Sequence, residues 1–310
     1  MTKLEIVFSV IGIILSIIGI LVGIIGIHSI KISSKNKNNV KNIKNSTVNI
    51  DNSIKNGLNS KDLSDLTTIL SDTIIDLDNK HSEIQKNNFL EIIRATVLLM
   101  QKEGATPTTP ADDTWSLKFF EYSSVSSDKN IQNMWAKLLK AKITGKSNIS
   151  MRTMEVLSNL SPDEAILFDQ LTDYGFGDNC IILKQFLTDN NLFDYSSISI
   201  LIECGLLSTE SFLTHHRKII NNIASINNNN LVLVYSPKNN QTEIQFNIYG
   251  LTRAGEEIYK SLGKNISDDN FKKIAKWLKN TNSQYNFSLH KINYIHKGNI
   301  NYDLTDIIDL

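Results

Sequence analysis

The stretch that decides the fold is Tyr249-Gly250-Leu251-Thr252-Arg253-Ala254-Gly255-Glu256-Glu257-Ile258. The residues that lead into it, Glu243 to Tyr249, alternate between polar and apolar side chains, as a β-strand with one buried face does. Thr252 carries the hydroxyl group of a helix N-cap, and Ile258 and Leu262 continue the apolar positions at helical spacing. The stretch therefore predicts a strand that passes almost directly into an amphipathic helix.

The residues before this junction predict a series of short helices and one further strand. The predicted elements are a helix that starts at Ser161-Pro162-Asp163-Glu164, helical stretches near 183–187 and 196–204, a strand over 231–235, a turn at 237–241 and the strand over 243–249. Two alternating strands joined by a short polar turn favour a β-hairpin. The order of three helices, a hairpin and a helix resembles a winged-helix domain, which we assign to residues 151–265.

The third predicted helix occupies the position from which winged-helix domains read DNA. Residues 196–204 contain no Lys, Arg, Asn or Gln, the side chains that reach base edges, and they carry Glu203. Nearby positive charge is limited to Lys184, His215, His216, Arg217, Lys218 and Lys238. The sequence therefore favours a surface for protein contact and disfavours nucleic acid as a partner.

The N-terminal region predicts a membrane segment. Residues 6–27 contain no charged side chain, and at about 1.5 Å per residue such a helix is roughly 33 Å long, enough to cross a bilayer core. Lys31, Lys35 and Lys37 follow it without an acidic residue between them. The positive-inside rule therefore predicts a single-pass protein of the bacterial inner (cell) membrane, with its N-terminus outside and its C-terminal domains in the cytoplasm. The same lysines are candidates for contact with lipid head groups.

Small residues follow one line along this predicted helix. The line consists of Ser9, Gly12, Ser16, Gly19, Gly23 and Gly26. Their alternating separations of 3 and 4 positions place them on one seam of a repeat of about 3.5 residues. Because small side chains allow helix backbones to approach closely in lipid, we expect a homo-oligomer held by this seam.

The predicted domains are residues 1–32 with the transmembrane helix and its flanks, a polar linker at 33–60, a helical domain at 61–150, the winged-helix-like domain at 151–265, and a C-terminal helix and hairpin at 266–310. Residues 47–50 alternate like a short strand, so the linker is either a solvated tether or a strand that pairs between subunits. In the last segment, Asp268 to Lys279 is either a packing helix or a contact for lipid or RNA. The predicted fold class is mainly α with a small β part (α+β).

Composition limits the classes of partner and of compartment. The 32 basic and 32 acidic residues balance, so the chain has no global attraction for polyanions. Cys180 and Cys204 give no disulfide framework. They are interpreted as buried, unreactive thiols in a reducing compartment.

Several motifs between Trp115 and Leu171 occur together. They are Asp113-Thr114-Trp115, Phe119-Phe120, Met134-Trp135-Ala136-Lys137-Leu138-Leu139, Ser150-Met151-Arg152-Thr153-Met154-Glu155-Val156-Leu157 and Leu160-Ser161. With Leu-Thr-x-x-Gly-Glu-Glu at 251–257, they resemble an uncharacterised bacterial domain family over about half of the chain. Residues 140–146 lack the Pro-Gly turn of that pattern. The resemblance implies an often membrane-linked protein associated with phage defence or abortive infection, and it supplies no catalytic residues.

Motifs of known enzyme classes are absent from the sequence. It contains no G-x-x-x-x-G-K-[ST], G-x-S-x-G, H-E-x-x-H or C-x-x-C pattern, and we expect neither a metal site nor a cofactor. The charged residues of the family motifs are interpreted as a structural polar network rather than as catalytic groups. In this network Arg152 and Glu155 form a buried ion pair with Asp112 or Asp113.

Two functions are compatible with these features. The first is a self-associating, non-enzymatic effector or sensor of bacterial anti-phage defence, which acts at the inner membrane and responds to a phage or host protein. The alternative is a membrane-tethered winged-helix regulator that binds nucleic acid. The lipid bilayer and further copies of the chain are the expected partners of the first.

Overall fold

The computed structural model describes residues 83–105, 108, 111–177, 180–209, 213–239, 241–296 and 299–310. The chain divides into two compact units, the first ending at Pro162 and the second beginning at Asp163.

The first unit is helical. Its elements are α1 (Glu83–Glu103), α2 (Asp113–Ser123), α3 (Lys129–Ile143) and α4 (Met151–Ser158). Three of these helices begin at a side-chain cap, because the carboxylates of Asp112 and Asp128 and the hydroxyl of Ser150 each accept a hydrogen bond from a backbone N–H of the first turn. Helix α1 packs on α3 and α2 packs on α4.

Aromatic side chains fill the core of the first unit. Trp115 stacks on Phe119 at 5.1 Å between ring centroids, and Phe119 meets Trp135 edge to face at 5.4 Å. Each indole N–H has a partner, since Trp115 donates to the Ile149 carbonyl at 3.0 Å and Trp135 donates to the Ser126 hydroxyl at 3.1 Å. The tryptophans therefore fix both the apolar centre and the two loops above it.

The second unit mixes helices with two antiparallel sheets. Its elements are α5 (Pro162–Thr172), β1 (Ile182–Leu183), α6 (Lys184–Asp189), α7 (Tyr195–Glu203), β2 (Thr214–Lys218), β3 (Ala224–Asn227), β4 (Leu231–Pro237), β5 (Glu243–Tyr249), α8 (Arg253–Leu262), α9 (Asp268–Thr281), β6 (Tyr285–His296) and β7 (Asn299–Ile308). The first sheet has the strand order β1-β5-β2, and the second has the order β3-β4-β6-β7.

The predicted fold class is wrong in its β part. Strands β4 and β5 do not form the predicted hairpin: β4 lies between β3 and β6, whereas β5 lies between β1 and β2. Each is the centre of its own sheet, and β4 is accordingly buried on both faces. The predicted hairpin of 231–235 with 243–249 and the small β content are therefore replaced by an α+β unit with two sheets, in which β5 pairs antiparallel with β2.

The predicted C-terminal extension is also corrected. Strands β6 and β7 pair with each other as expected, but residues 285–291 of β6 also pair with β4. The segment is therefore part of the second sheet and not an appendage.

The membrane prediction falls on residues that the structure does not describe. The transmembrane helix at 6–27, its seam and the linker at 33–60 all lie there. Within the described ranges, no helix combines the length and the apolar composition that a bilayer crossing requires.

One junction joins α7, β5 and α8. The Thr252 N–H donates to the Leu206 carbonyl at 3.0 Å, and its hydroxyl donates to the Gly205 carbonyl at 2.5 Å. The same hydroxyl accepts the Gly255 N–H at 3.1 Å and so caps α8. The first turn of α8 packs so closely on the end of α7 that a β-carbon added to Gly255 would overlap the Leu206 carbonyl oxygen.

This contact predicts the sign of one substitution. In an open helix position, Gly→Ala stabilises a protein by about 0.5–1 kcal/mol. Gly255→Ala is expected instead to destabilise the second unit by about 1–3 kcal/mol, because the Leu206 carbonyl must move. Urea unfolding followed by circular dichroism measures the change, with the exposed Lys260→Ala of the same helix as a control within about 0.5 kcal/mol of wild type. A Gly255→Ala protein that is more stable than wild type contradicts the contact.

Candidate functional site

Helix α7 presents the most exposed aromatic residue among those described. Tyr195 is 88% exposed and Ile200 is 36% exposed, while Ile198 and Leu201 on the other side of the helix are buried. The outward residues, which we call the α7 face, are Tyr195, Ser196, Ser199, Ile200 and Glu203.

Both ends of α7 are held by hydrogen bonds. At the start, the Asp194 carboxylate accepts the Ser197 N–H at 2.7 Å, and hydrogen bonds from Ser197 lower the pKa of this carboxyl. At the end, the Leu206 N–H returns to the Leu201 carbonyl at 3.0 Å. Since the Leu206 carbonyl in turn binds Thr252, the α7 face is carried on a fixed element and not on a loop.

The charge of the α7 face is unsuited to a phosphate backbone. The helix contains no basic residue, and Asp194 and Glu203 stand at its two ends. Two basic side chains of the unit are engaged in other contacts: Lys184 lies over the Tyr249 ring at 5.6 Å, and Lys264 pairs with Asp169 at 2.7 Å. An exposed tyrosine among small hydroxyls is typical of surfaces that bind proteins.

The basic residues of β2 do not form one patch. His215 and Arg217 pair with buried Phe246 and Ile244 and so lie on the inner face of the first sheet. His216 and Lys218 lie on the outer face, where the His216 ring is 3.4 Å from the Glu243 carboxylate. Because successive side chains of a strand point to opposite faces, these four residues lie on two faces of the sheet although they are adjacent in the sequence.

The two cysteines have unreactive surroundings. Burial raises the pKa of the Cys180 thiol to about 12. Burial also raises the pKa of Cys204 to about 12, assisted by its hydrogen bond to the Glu164 carboxylate. Both thiols are therefore protonated at neutral pH. The expected burial is confirmed for Cys180, whereas Cys204 is half-buried.

A buried polar network in the first unit escaped the sequence analysis. Gln132 donates to the Ser126 carbonyl at 2.9 Å and to Asn88 at 3.3 Å, and Asn88 donates to the Ser124 carbonyl at 3.0 Å. The network ties α1 and α3 to the serine-rich loop between α2 and α3. The available signal was that Asn88 stands one turn before Ile92, on the buried side of a helix.

Arg152 and Glu155 of the predicted ion-pair network are not buried as expected. Arg152 and Glu155 are exposed on α4, so an ion pair made by them would lie in solvent and not in the core. Asp112 is the N-cap of α2 and accepts the Trp115 N–H at 2.9 Å. The side chain of Asp113 is outside the described atoms.

Helix α9 is a packing helix. Phe271, Ile274 and Leu278 are fully buried, and α9 contacts β4 and β6. Its lysines Lys272, Lys273, Lys276 and Lys279 are exposed. The covered apolar face excludes insertion of that face into lipid.

Two sets of predicted positions cannot be placed in the structure. The seam from Ser9 to Gly26 and the lysines Lys31, Lys35 and Lys37 lie outside the described residues. Among the residues that are described, no group of three or more His, Cys, Asp or Glu side chains is arranged to hold a metal ion.

Comparison with known proteins identifies one domain. Residues 77–179 match the family described as "Protein of unknown function (DUF2806)". This range contains the tryptophan-led helix and the buried polar network of the first unit. The match agrees with the expectation of an uncharacterised domain family in this part of the chain, and it bears on neither membrane anchoring nor phage defence. No curated protein and no solved structure matches the chain.

The cysteine environments predict slow thiol chemistry. At pH 8, alkylation of both cysteines by iodoacetamide is expected to be more than about 100-fold slower in the folded protein than in urea, because the thiolate is depleted. Glu164→Gln should accelerate alkylation of Cys204 but not of Cys180, which serves as the internal control. Peptide mass spectrometry measures both rates, and equal rates at Cys204 in the two proteins contradict the role of Glu164.

The same shifts set a pH dependence of stability. A thiol pKa raised on folding contributes stability that is present below the unfolded pKa and is lost as pH rises towards the folded value. The free energy of unfolding of the second unit is therefore expected to fall between about pH 9 and about pH 12. The double variant Cys180→Ser/Cys204→Ser should flatten this part of the curve in urea titrations at several pH values, and an unchanged slope contradicts it.

Proposed function

We propose that the chain is a non-enzymatic sensor or effector of bacterial anti-phage defence, and that it recognises a protein partner through the α7 face. The single observation that carries the choice of partner is Tyr195, which is 88% exposed on a helix fixed at both ends. The link with defence rests on the family resemblance of the motifs. Self-association through the seam and action at the inner membrane stay predictions of the sequence.

The chemistry of the α7 face supports a protein partner. A tyrosine ring offers a large contact area with few rotatable bonds, and its hydroxyl retains a hydrogen bond when the ring is covered. Ser196 and Ser199 beside it add hydroxyls that adapt to backbone groups, and Ile200 adds an apolar contact. Such a central aromatic residue commonly carries much of the binding energy of an interface.

The alternative is a winged-helix regulator that binds nucleic acid. It is opposed by the carboxylates of Asp194 and Glu203 at the two ends of α7, since each would repel a phosphate backbone. The hairpin predicted from residues 231–235 and 243–249 gives this alternative no support, because β4 and β5 pair with other strands.

The proposal predicts a selective loss of protection. In bacteria that express the full chain, the plating efficiency of at least one phage in a diverse panel should fall tenfold or more. Tyr195→Ala should abolish this protection, because loss of a central aromatic weakens binding by about 2 kcal/mol or more, roughly 30-fold. Tyr294→Ala, at a second tyrosine that is 60% exposed, is the matched control and should protect like wild type.

The possible outcomes test the defence role, the α7 face and the nucleic-acid alternative separately. Absence of protection against every phage overturns the defence role. Protection by Tyr195→Ala at wild-type abundance, measured by immunoblot, overturns the α7 face as the binding surface. Fluorescence anisotropy with labelled DNA and RNA at about 50–200 mM salt tests the alternative, which requires binding that weakens steeply with salt.

A further inference from the structure

A hydrogen bond from Arg217 links the first sheet of the second unit to the second sheet, and three polar side chains belong to the strands on its two sides. They are His215 and Arg217 on β2 and Tyr235 on β4, and we call them the Arg217 cluster. His215 and Arg217 are half-buried, so solvent reaches them, while Tyr235 is 1% exposed. None of the three contributes to the α7 face.

Arg217 links the two sheets and has further N–H donors that this link does not use. Its Nη2 donates to the Ser225 carbonyl on β3 at 2.8 Å. Ser225 and Ala224 pair with Val234 and Tyr235 of β4, so this bond holds the guanidinium at the strand that pairs with the Tyr235 segment. A guanidinium has five N–H donors in a planar fork, and the bond to Ser225 uses one of them.

The Tyr235 hydroxyl is buried without a partner among the described residues. Burial raises the pKa of this phenol and the Arg217 charge opposes the rise, which places the two groups within electrostatic reach of each other. The neighbouring Tyr285 differs, because its hydroxyl donates to the Glu243 carbonyl at 3.0 Å. A buried hydroxyl without a bond costs free energy that the folded protein must offset.

His215 completes the cluster. Its Nε2 is buried and has no partner in the described structure. Burial lowers the pKa of the imidazole, and the neighbouring charges of Arg217 and His216 lower it further. The ring is therefore neutral at physiological pH and offers one N–H donor. The carboxylate of Glu243 bonds to Gln245 and His216 and lies on the outer face of the sheet, away from the cluster.

We propose that the Arg217 cluster binds a small oxyanion, a phosphate or carboxylate group, between the two sheets. The guanidinium fork would take two of its oxygens, and the Tyr235 hydroxyl and the His215 ring would each donate to it. The bound group would satisfy both unpartnered polar atoms and would strengthen the link between β2 and the second sheet. A single cation with neutral donors around it is a setting in which charge-assisted hydrogen bonds are strong.

A purely structural role for the cluster makes a different prediction. If Arg217 only braces the sheets, the Tyr235 hydroxyl has no function, and its removal affects no ligand. If the cluster binds an oxyanion, Tyr235→Phe removes one donor from the site. In the absence of ligand, that substitution also removes a buried hydroxyl without a bond, so it should raise the Tm of the protein.

The experiment is thermal unfolding of the full-length chain with sodium phosphate or sodium acetate at ionic strength matched with sodium chloride. One of the two ions should raise the Tm by about 3–6 °C at a concentration tenfold above its Kd. Tyr235→Phe should show a higher Tm without the ion and less than half of the wild-type shift with it. Tyr285→Phe is the matched control, with a lower starting Tm and a full shift.

Each outcome of this experiment supports or overturns the oxyanion site. A shift with phosphate alone identifies a phosphate site, and a shift with acetate alone identifies a carboxylate site. Equal shifts in wild type and Tyr235→Phe overturn the proposal, because the ion then acts elsewhere. Absence of a shift with both ions overturns it as well. Arg217→Gln, in which no ion should change the Tm, provides an independent second variant, and a full shift in that protein also overturns the site.

Discussion

The second unit depends on the close contact between Thr252, Gly255 and the carbonyl groups at the end of α7. The Leu206 carbonyl accepts the Thr252 N–H, and the Gly205 carbonyl accepts its hydroxyl. Because Gly255 has no side chain, the first turn of α8 lies directly against this pair. The contact joins the end of β5, the start of α8 and the end of α7 at one point, and through α7 it determines where Tyr195 stands.

The second constraint is that two consecutive strands are each the centre of a separate sheet. β4 pairs with β3 and β6, and β5 pairs with β1 and β2. The chain between them therefore crosses from one sheet to the other. Arg217 links the two sheets through Ser225, and Tyr235 and His215 have buried polar atoms without a partner among the described residues.

The buried polar groups of the two units differ in their hydrogen-bond partners. In the first, Asn88 and Gln132 donate to carbonyls of a serine-rich loop, and Trp135 donates to the Ser126 hydroxyl of the same loop. Three oxygens there have no partner among the described residues, those of the Ser123 and Ser124 hydroxyls and the Gln132 amide. In the second, the Arg217 cluster retains unused donors. The α7 face has neither feature and carries an apolar and aromatic surface with no positive charge. The proposed protein contact therefore lies on α7, and the proposed oxyanion site lies at the Arg217 cluster.

Local signals in the sequence predicted much of the helical structure. The caps at Asp112, Asp128 and Thr252 and the apolar spacing of α3 and α9 fix helices within one or two residues, because capping and helical periodicity depend on neighbours within a few positions. The motifs around Trp115 and Trp135 also identified the domain family of residues 77–179. The buried positions of Cys180, Trp115, Phe119 and Trp135 agree with what their chemistry predicted.

Only the tertiary structure decided how the strands are paired and which polar residues meet. The turn before β5 favoured a hairpin. Whether a strand pairs with its neighbour in sequence or with a distant strand depends on the burial of both its faces. The sequence of a single strand does not encode that burial. The Arg217 cluster joins residues from two sheets, so no local pattern contains it. By itself the sequence determined the helices, their caps and the absence of base-reading side chains on α7. The two sheets, the division of the basic residues across β2 and the unpartnered hydroxyl of Tyr235 result from contacts between segments far apart in the chain.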